Sequence, residues 1–140
     1  VDYLIKKEKG MKISSIEPYL DFKKNIYDTK LELLKLLNKL KSEGKSISAI
    51  GASTKGNVIL QYCGIGTNLI DFIGEINSEK YGSFTPGTLI PIINEDELLE
   101  KKPDYLLILT WHFEDYFLKQ QKFKKFNLIF PLPKVKVIRP

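Results

Sequence analysis

The segment from Ile47 to Leu60 constrains this chain more than any other, because an apolar strand, Ile47 to Ala52, runs into a turn containing Gly51, Ser53, Lys55 and Gly56 that opens a helix from about Thr54 to Tyr62. N–H groups at a helix start have no intrahelical partner, and the helix dipole favours negative charge there. With Lys55 adding a full positive charge, the layout suits an anion, and phosphate above all. The spacing Gly51-x-Ser53-x-x-Gly56 is that of a dinucleotide loop with Ser in place of the middle glycine. It is not a Walker loop, which needs Lys directly after the last glycine, where this chain has Asn57. The same glycines also fit a strand-to-helix turn that needs only positive φ or close packing.

Elements on either side alternate as in an α/β layer fold. Upstream, Leu20, Ile26, Leu33, Leu34, Leu37 and Leu40 recur at helical spacing and predict a long amphipathic helix from Pro18 to Ser42, ended by Gly44. Residues 1–16 read as a short strand or an extended lead-in. Downstream come a strand over Leu69–Ile76, a long loop to Gly87, a strand over Leu89–Ile93 and a helix over Glu95–Lys101 capped by Asn94. The unbroken apolar run Tyr105–Thr110 suits a strand buried on both faces. A helix over His112–Phe126, a strand over Asn127–Phe130 and an edge strand at Val135–Ile138 complete the chain. The expected fold is α/β, a Rossmann-like three-layer fold with a mostly parallel sheet, preceded by the long N-terminal helix. Its strands' C-terminal ends would bring the Gly51–Asn57 loop, Glu75 and the Trp111–His112 pair to one edge, where such folds bind ligands.

At 140 residues the chain makes one domain. Its net charge of +5 is spread along the sequence, and no basic stripe is interleaved with stacking aromatics, so nucleic acid is not an expected partner. The single cysteine, Cys63, excludes an internal disulfide, and no Cys/His cluster suggests a metal. A reducing, cytoplasmic setting is expected, and no apolar run is long enough for a membrane span. A chain that begins at Val1 reads as a piece of a longer protein.

Four motifs in order carry a resemblance that covers Tyr19 to Pro133: Gly51 to Asn57, Gln61 to Gly66, Thr85-Pro86-Gly87 to Pro91, and Pro103 to Leu109 followed by Trp111. Together they resemble the C-terminal domain of the S-adenosylmethionine-dependent C-methyltransferases that act on nucleotide-linked deoxysugars. The resemblance implies a protein with a zinc-binding domain, a central methyltransferase domain that holds S-adenosylmethionine, and this third domain, which helps hold the nucleotide part of the sugar substrate. It implies that the preceding methyltransferase domain is a partner, and that this piece alone holds no cofactor and is inactive. Four-cysteine zinc ligands and a Tyr/Glu/His catalytic cluster are indeed missing from the sequence.

By resemblance and local chemistry together, Ser53, Thr54, Lys55, Gly56 and Asn57 are the expected diphosphate site. Glu75 stands where a dinucleotide fold puts its ribose-binding acid, unless it is a surface carboxylate. Asn77, Lys80 and Tyr81 lie in the long loop, as substrate contacts or as solvated loop residues. His112, the sole histidine, is expected to hydrogen-bond the substrate or shape the site, since the resembled family more often has Asn after the Trp and no orienting partner marks His112 as a base. Two other readings stay open: a stand-alone nucleotide-binding module for NAD or coenzyme A, and an interaction domain whose 18–42 helix packs on a partner.

Overall fold

The structure, a computed structural model, describes residues 1–140. Its sheet has six strands: β1 (Ile47–Ile50), β2 (Ile73–Glu75), β3 (Ile92–Asn94), β4 (Tyr105–Ile108), β5 (Asn127–Phe130) and β6 (Lys136–Ile138). They lie in the order β3-β2-β1-β4-β5-β6. All neighbouring pairs are parallel except β5 with the edge strand β6. Helices cover both faces. On one, α2 (Glu17–Ser42) and α3 (Thr54–Cys63) bury Leu33, Leu37, Leu40 and Leu60 against Ile47 and Ala49. On the other, α4 (Glu95–Glu100), α5 (Glu114–Lys119) and the turn after it bury Leu98, Phe117 and Phe123 against Ile50 and Ile108. Alternation along β1 thus feeds two cores, as expected for a strand covered on both sides.

Polar ties fix the lower edge of the sheet. Asp104 Oδ2 accepts from both the backbone N–H and the hydroxyl of Ser46, each at 2.9 Å, which locks the starts of β1 and β4 together. Asp71 accepts from Lys41 at 2.9 Å and from the Ile47 N–H at 3.3 Å, joining α2 to the same corner. At the end of α2, Gly44 has φ of 73°, and the Lys45 and Gly44 N–H groups return to the Leu40 and Lys41 carbonyls. That is the expected left-handed stop.

Several elements differ from the sequence expectation. Residues 1–16 are not an extended lead-in: α1 runs from Asp2 to Gly10 with no buried residue, its ends matched to the helix dipole by Asp2, Lys7 and Lys9. Packing places no constraint on it, so local propensity sets its form. The strand over 69–76 shrinks to Ile73–Glu75 because Leu69 and Ile70, though buried, turn back so that both N–H groups meet the Gly66 carbonyl. β3 begins at Ile92 rather than Leu89, since Leu89 adopts φ of +54°. The helix over 112–126 breaks into 3-10 turns at Trp111–Phe113 and Gln121–Phe123 around the short α5, because Phe117, Phe123 and Phe126 must all reach one core.

The long loop proves to be a crossover. Residues 76–91 link the parallel strands β2 and β3 through a 3-10 turn at Ser78–Lys80 rather than an α-helix, and Ile90 and Thr85 are buried within the link. Thr85 Oγ1 accepts from the Ile90 N–H at 2.9 Å, and Gln61 Nε2 donates to the Pro86 carbonyl at 2.9 Å. The Thr-Pro-Gly motif therefore docks this crossover onto α3.

α2 divides into an inner half inside the core and an outer half that leaves the domain. Replacing Leu37, which is fully buried, by Ala is expected to cost about 2–5 kcal/mol, whereas Leu20→Ala on the exposed half should stay within about 0.5 kcal/mol. Urea unfolding of the two variants checks this, and equal costs would contradict it.

Candidate functional site

A cleft of about 530 Å³ opens at the C-terminal ends of β1 and β2, where strand order reverses around β1. That volume lies within the usual range for small-ligand sites. Gly51 and Ser53 form its head, and Glu75, Ile76 and Lys80 one wall. Glu95 and Gly74 line its floor, and Thr110, Phe113, Tyr116 and Phe117 the other wall. A larger concavity, about 830 Å³, lies between α2 and the C-terminal segment. Its lining is mostly exposed chains such as Asp28, Glu32, Lys134 and Lys136, the helix start that reaches it carries an acid, Glu114, and no buried polar side chain faces it, so the smaller cleft is the better candidate.

The turn at its head follows from its residues. Gly51 has φ of 90°, and a Cβ there would meet Thr110 Cγ2 at 2.7 Å. Gly56 is buried, and a Cβ would stand 2.6 Å from Leu109 Cβ, so only glycine lets α3 start this close to β4. Ser53 caps the helix: its Oγ accepts from the Gly56 N–H at 3.0 Å, and its carbonyl takes the Asn57 N–H. The Thr54 and Lys55 N–H groups make no hydrogen bond. Lys55 is exposed and forms no ion pair, so its ammonium keeps its full donor capacity.

Glu75 ends β2 and is 8% exposed. Its Oε1 accepts from the Ile76 N–H at 2.8 Å and the Asn77 N–H at 3.1 Å, while Oε2 accepts from Lys80 Nζ at 3.0 Å. Burial pushes its carboxyl up, but the Asn77 N–H, the Lys80 ammonium and the Ile76 N–H outweigh that and hold it below the usual 4.5. Lys80 Nζ also donates to the Ala52 carbonyl at 3.0 Å, so one ammonium ties the crossover loop to the turn after β1. With three of about four acceptor sites used on Glu75 and two of three donors used on Lys80, each keeps one bond for a ligand.

Ser53, Glu75 and Lys80 thus share the cleft, with Thr54 and Lys55 at the helix start beside it. The remaining sequence candidates stand elsewhere. Asn57 lines a separate cavity of about 50 Å³ with Leu60, Thr85 and Pro86, and its Oδ1 is a buried side-chain atom without a partner. Asn77 caps the following turn through the Glu79 N–H, and Tyr81 bonds the Ile76 carbonyl and Asn94. His112 is exposed, packed edge-on to Trp111 and tilted against Phe113, and does not line the cleft. Glu95 is the residue the sequence hid, since an acid at the start of a helix reads as a surface charge favourable to the dipole. No cluster of His, Cys, Asp or Glu could hold a metal.

Sequence comparison places this cleft, at the C-terminal edge of a mostly parallel α/β sheet, in a known family. The profile of the C-methyltransferase C-terminal domain matches residues 1–133, and the chain belongs to that family. It is 28% identical over 138 residues to the C-methyltransferase NovU of Streptomyces niveus, covering 96% of this chain and 33% of that protein. The chain therefore spans about a third of this relative's length.

A carboxyl held below its ordinary value stabilises the fold above that value, and the contribution is lost as pH falls through the folded pKa. Glu75→Gln is expected to lower stability by about 1–2 kcal/mol at neutral pH, with the gap closing as the pH falls below the ordinary 4.5 and through the lowered folded value. Denaturant titrations across that range check it, and a gap that stays constant into acid would contradict it.

Proposed function

We propose that this domain holds the nucleotide-diphosphate part of a sugar-nucleotide substrate for an S-adenosylmethionine-dependent C-methyltransferase, with the diphosphate at the start of α3. The observation that carries this reading is the pair of free N–H groups at Thr54 and Lys55, backed by the unpaired Lys55 ammonium, at the head of a cleft. Ser53 keeps a hydroxyl proton to donate, and Lys80 keeps one donor on the facing wall. Fixing the phosphates in this Rossmann-like crevice supplies binding energy remote from the reacting carbon, which a methyltransferase converts into orientation of the sugar.

The methyl donor does not suit this cleft. Its sulfonium cation would meet the Lys80 ammonium, and the acid at the end of β2 is already neutralised by that same lysine. The donor accordingly belongs to the preceding methyltransferase domain, and no step of transfer is assigned to residues here. The outer surface supports such a neighbour. Tyr3, Leu4, Met11, Ile16, Leu20 and Phe22 are all exposed on α1, the turn after it and the outer half of α2. No helix is long and apolar enough to cross a membrane.

Calorimetric titration with TDP, a TDP-sugar, NAD and coenzyme A tests the reading. TDP and the TDP-sugar are expected to bind, and Lys55→Ala to weaken both by about tenfold, near 1.4 kcal/mol. Tight NAD binding with no TDP binding would favour a stand-alone dinucleotide module instead, and unchanged affinity in Lys55→Ala would remove the phosphate site.

A further inference from the structure

Glu95 is the first residue of α4 and is 7% exposed, a place where an ionised carboxylate is seldom found without partners. Gly74 sets its depth. A Cβ on Gly74 would stand 3.2 Å from Glu95 Cα and 3.0 Å from Ile50 Cδ1, so glycine lets the start of α4 press onto β2. One carboxylate oxygen, Oε1, accepts from Lys122 Nζ in the turn after α5. Burial pushes the Lys122 ammonium down, but its bond to Glu95 and the charges of Glu95 and Asp96 outweigh that and raise it.

The other oxygen, Oε2, makes no hydrogen bond, yet it is not sealed from solvent as Asn57 Oδ1 is. Glu95 is one of the residues that line the cleft, which is the open space this carboxylate borders. A buried carboxylate with one oxygen wholly unpaired gains from any donor a ligand brings. The same cleft carries apolar surface that the core does not need: Ile76 is 77% exposed, Phe113 56% and Tyr116 51%. Aromatic faces beside a lone acceptor suit a flat heterocycle with polar hydrogens, and they offer nothing to a phosphate.

We propose that Glu95 recognises the nucleoside half of the ligand: Oε2 accepts a hydrogen bond from a base N–H or a sugar hydroxyl, and the base lies against Phe113 and Tyr116. This rests on the reading that α3 takes the phosphates, and it adds which end of the ligand the cleft discriminates. Lys122 is a positioning residue that holds the Glu95 carboxylate through Oε1.

The test is calorimetry on the chain with inorganic pyrophosphate, the nucleoside diphosphates of each common base, and the free nucleosides. At least one nucleoside diphosphate should bind about tenfold tighter than pyrophosphate, since a donor to a buried charge is worth about that factor. Glu95→Gln should erase this margin while pyrophosphate affinity stays within about twofold, as expected for sites that do not touch. Phe113→Ala, at an exposed position where folding is not at stake, should erase part of it. Ribose, deoxyribose and dideoxyribose forms of the preferred base separate the two donors: a margin lost with the hydroxyls assigns the sugar, and a margin kept assigns the base. No margin for any base, or one that survives both substitutions, overturns the inference and leaves the phosphate site standing. Glu95-dependent binding of a free nucleoside without binding of pyrophosphate supports the inference and removes the phosphate site. Binding of neither overturns both.

Discussion

β1 has a parallel partner on each side, and everything functional in the chain follows from that placement. The path from β1 to β2 runs through α3 on one face, and the path from β3 to β4 runs through α4 on the other. Above Ile50 and Gly74 the connections therefore part, and no side chain of either core fills the gap. A strand buried on both faces must be apolar along its length and must shed its polar work at its end, which is where the Gly51 turn begins.

Close approach then decides what the gap can hold. Gly56 allows α3 to start against Leu109, and Gly74 allows α4 to start against β2, so a helix N-terminus and a buried carboxylate come to opposite ends of one cleft. At the cleft, the Lys80 ammonium ties the crossover loop to this arrangement, since it bonds both Glu75 and the Ala52 carbonyl. Charge in the cleft is thus arranged in pairs, Glu75 with Lys80 and Glu95 with Lys122, and the unpaired cation is Lys55 outside it. An anionic ligand matches the rim, and an uncharged donor matches the floor.

The strongest local signals were legible in the sequence. β1, its glycine turn and α3 stand where the apolar run and the Gly51-to-Gly56 spacing put them, and Asn94 caps α4 through the Asp96 and Glu97 N–H groups. The weaker parts failed for identifiable reasons. Leu69 and Ile70 are core residues in a turn, and a buried apolar run reads as strand whatever its backbone does. The aromatic run from Phe113 to Phe126 satisfies helical spacing, but three buried rings on one sheet face demand a tighter, broken path. Within the site, Glu95 was illegible as an anchor because its burial comes from the distant residues Gly74 and Lys122, and Lys80 was legible only as a loop candidate, since its tie to the distant Ala52 carbonyl leaves no local pattern.

Amide chemical-shift mapping of the chain during titration with a nucleoside diphosphate tests the proposed phosphate site at the start of α3 most directly. The largest changes are expected at Thr54 and Lys55, followed by Ile76 and Glu95 around the same cleft, with Asp28, Glu32 and Lys134 unmoved. Changes confined to the concavity between α2 and the C-terminal segment, or silence at Thr54 and Lys55 under saturating ligand, would contradict it.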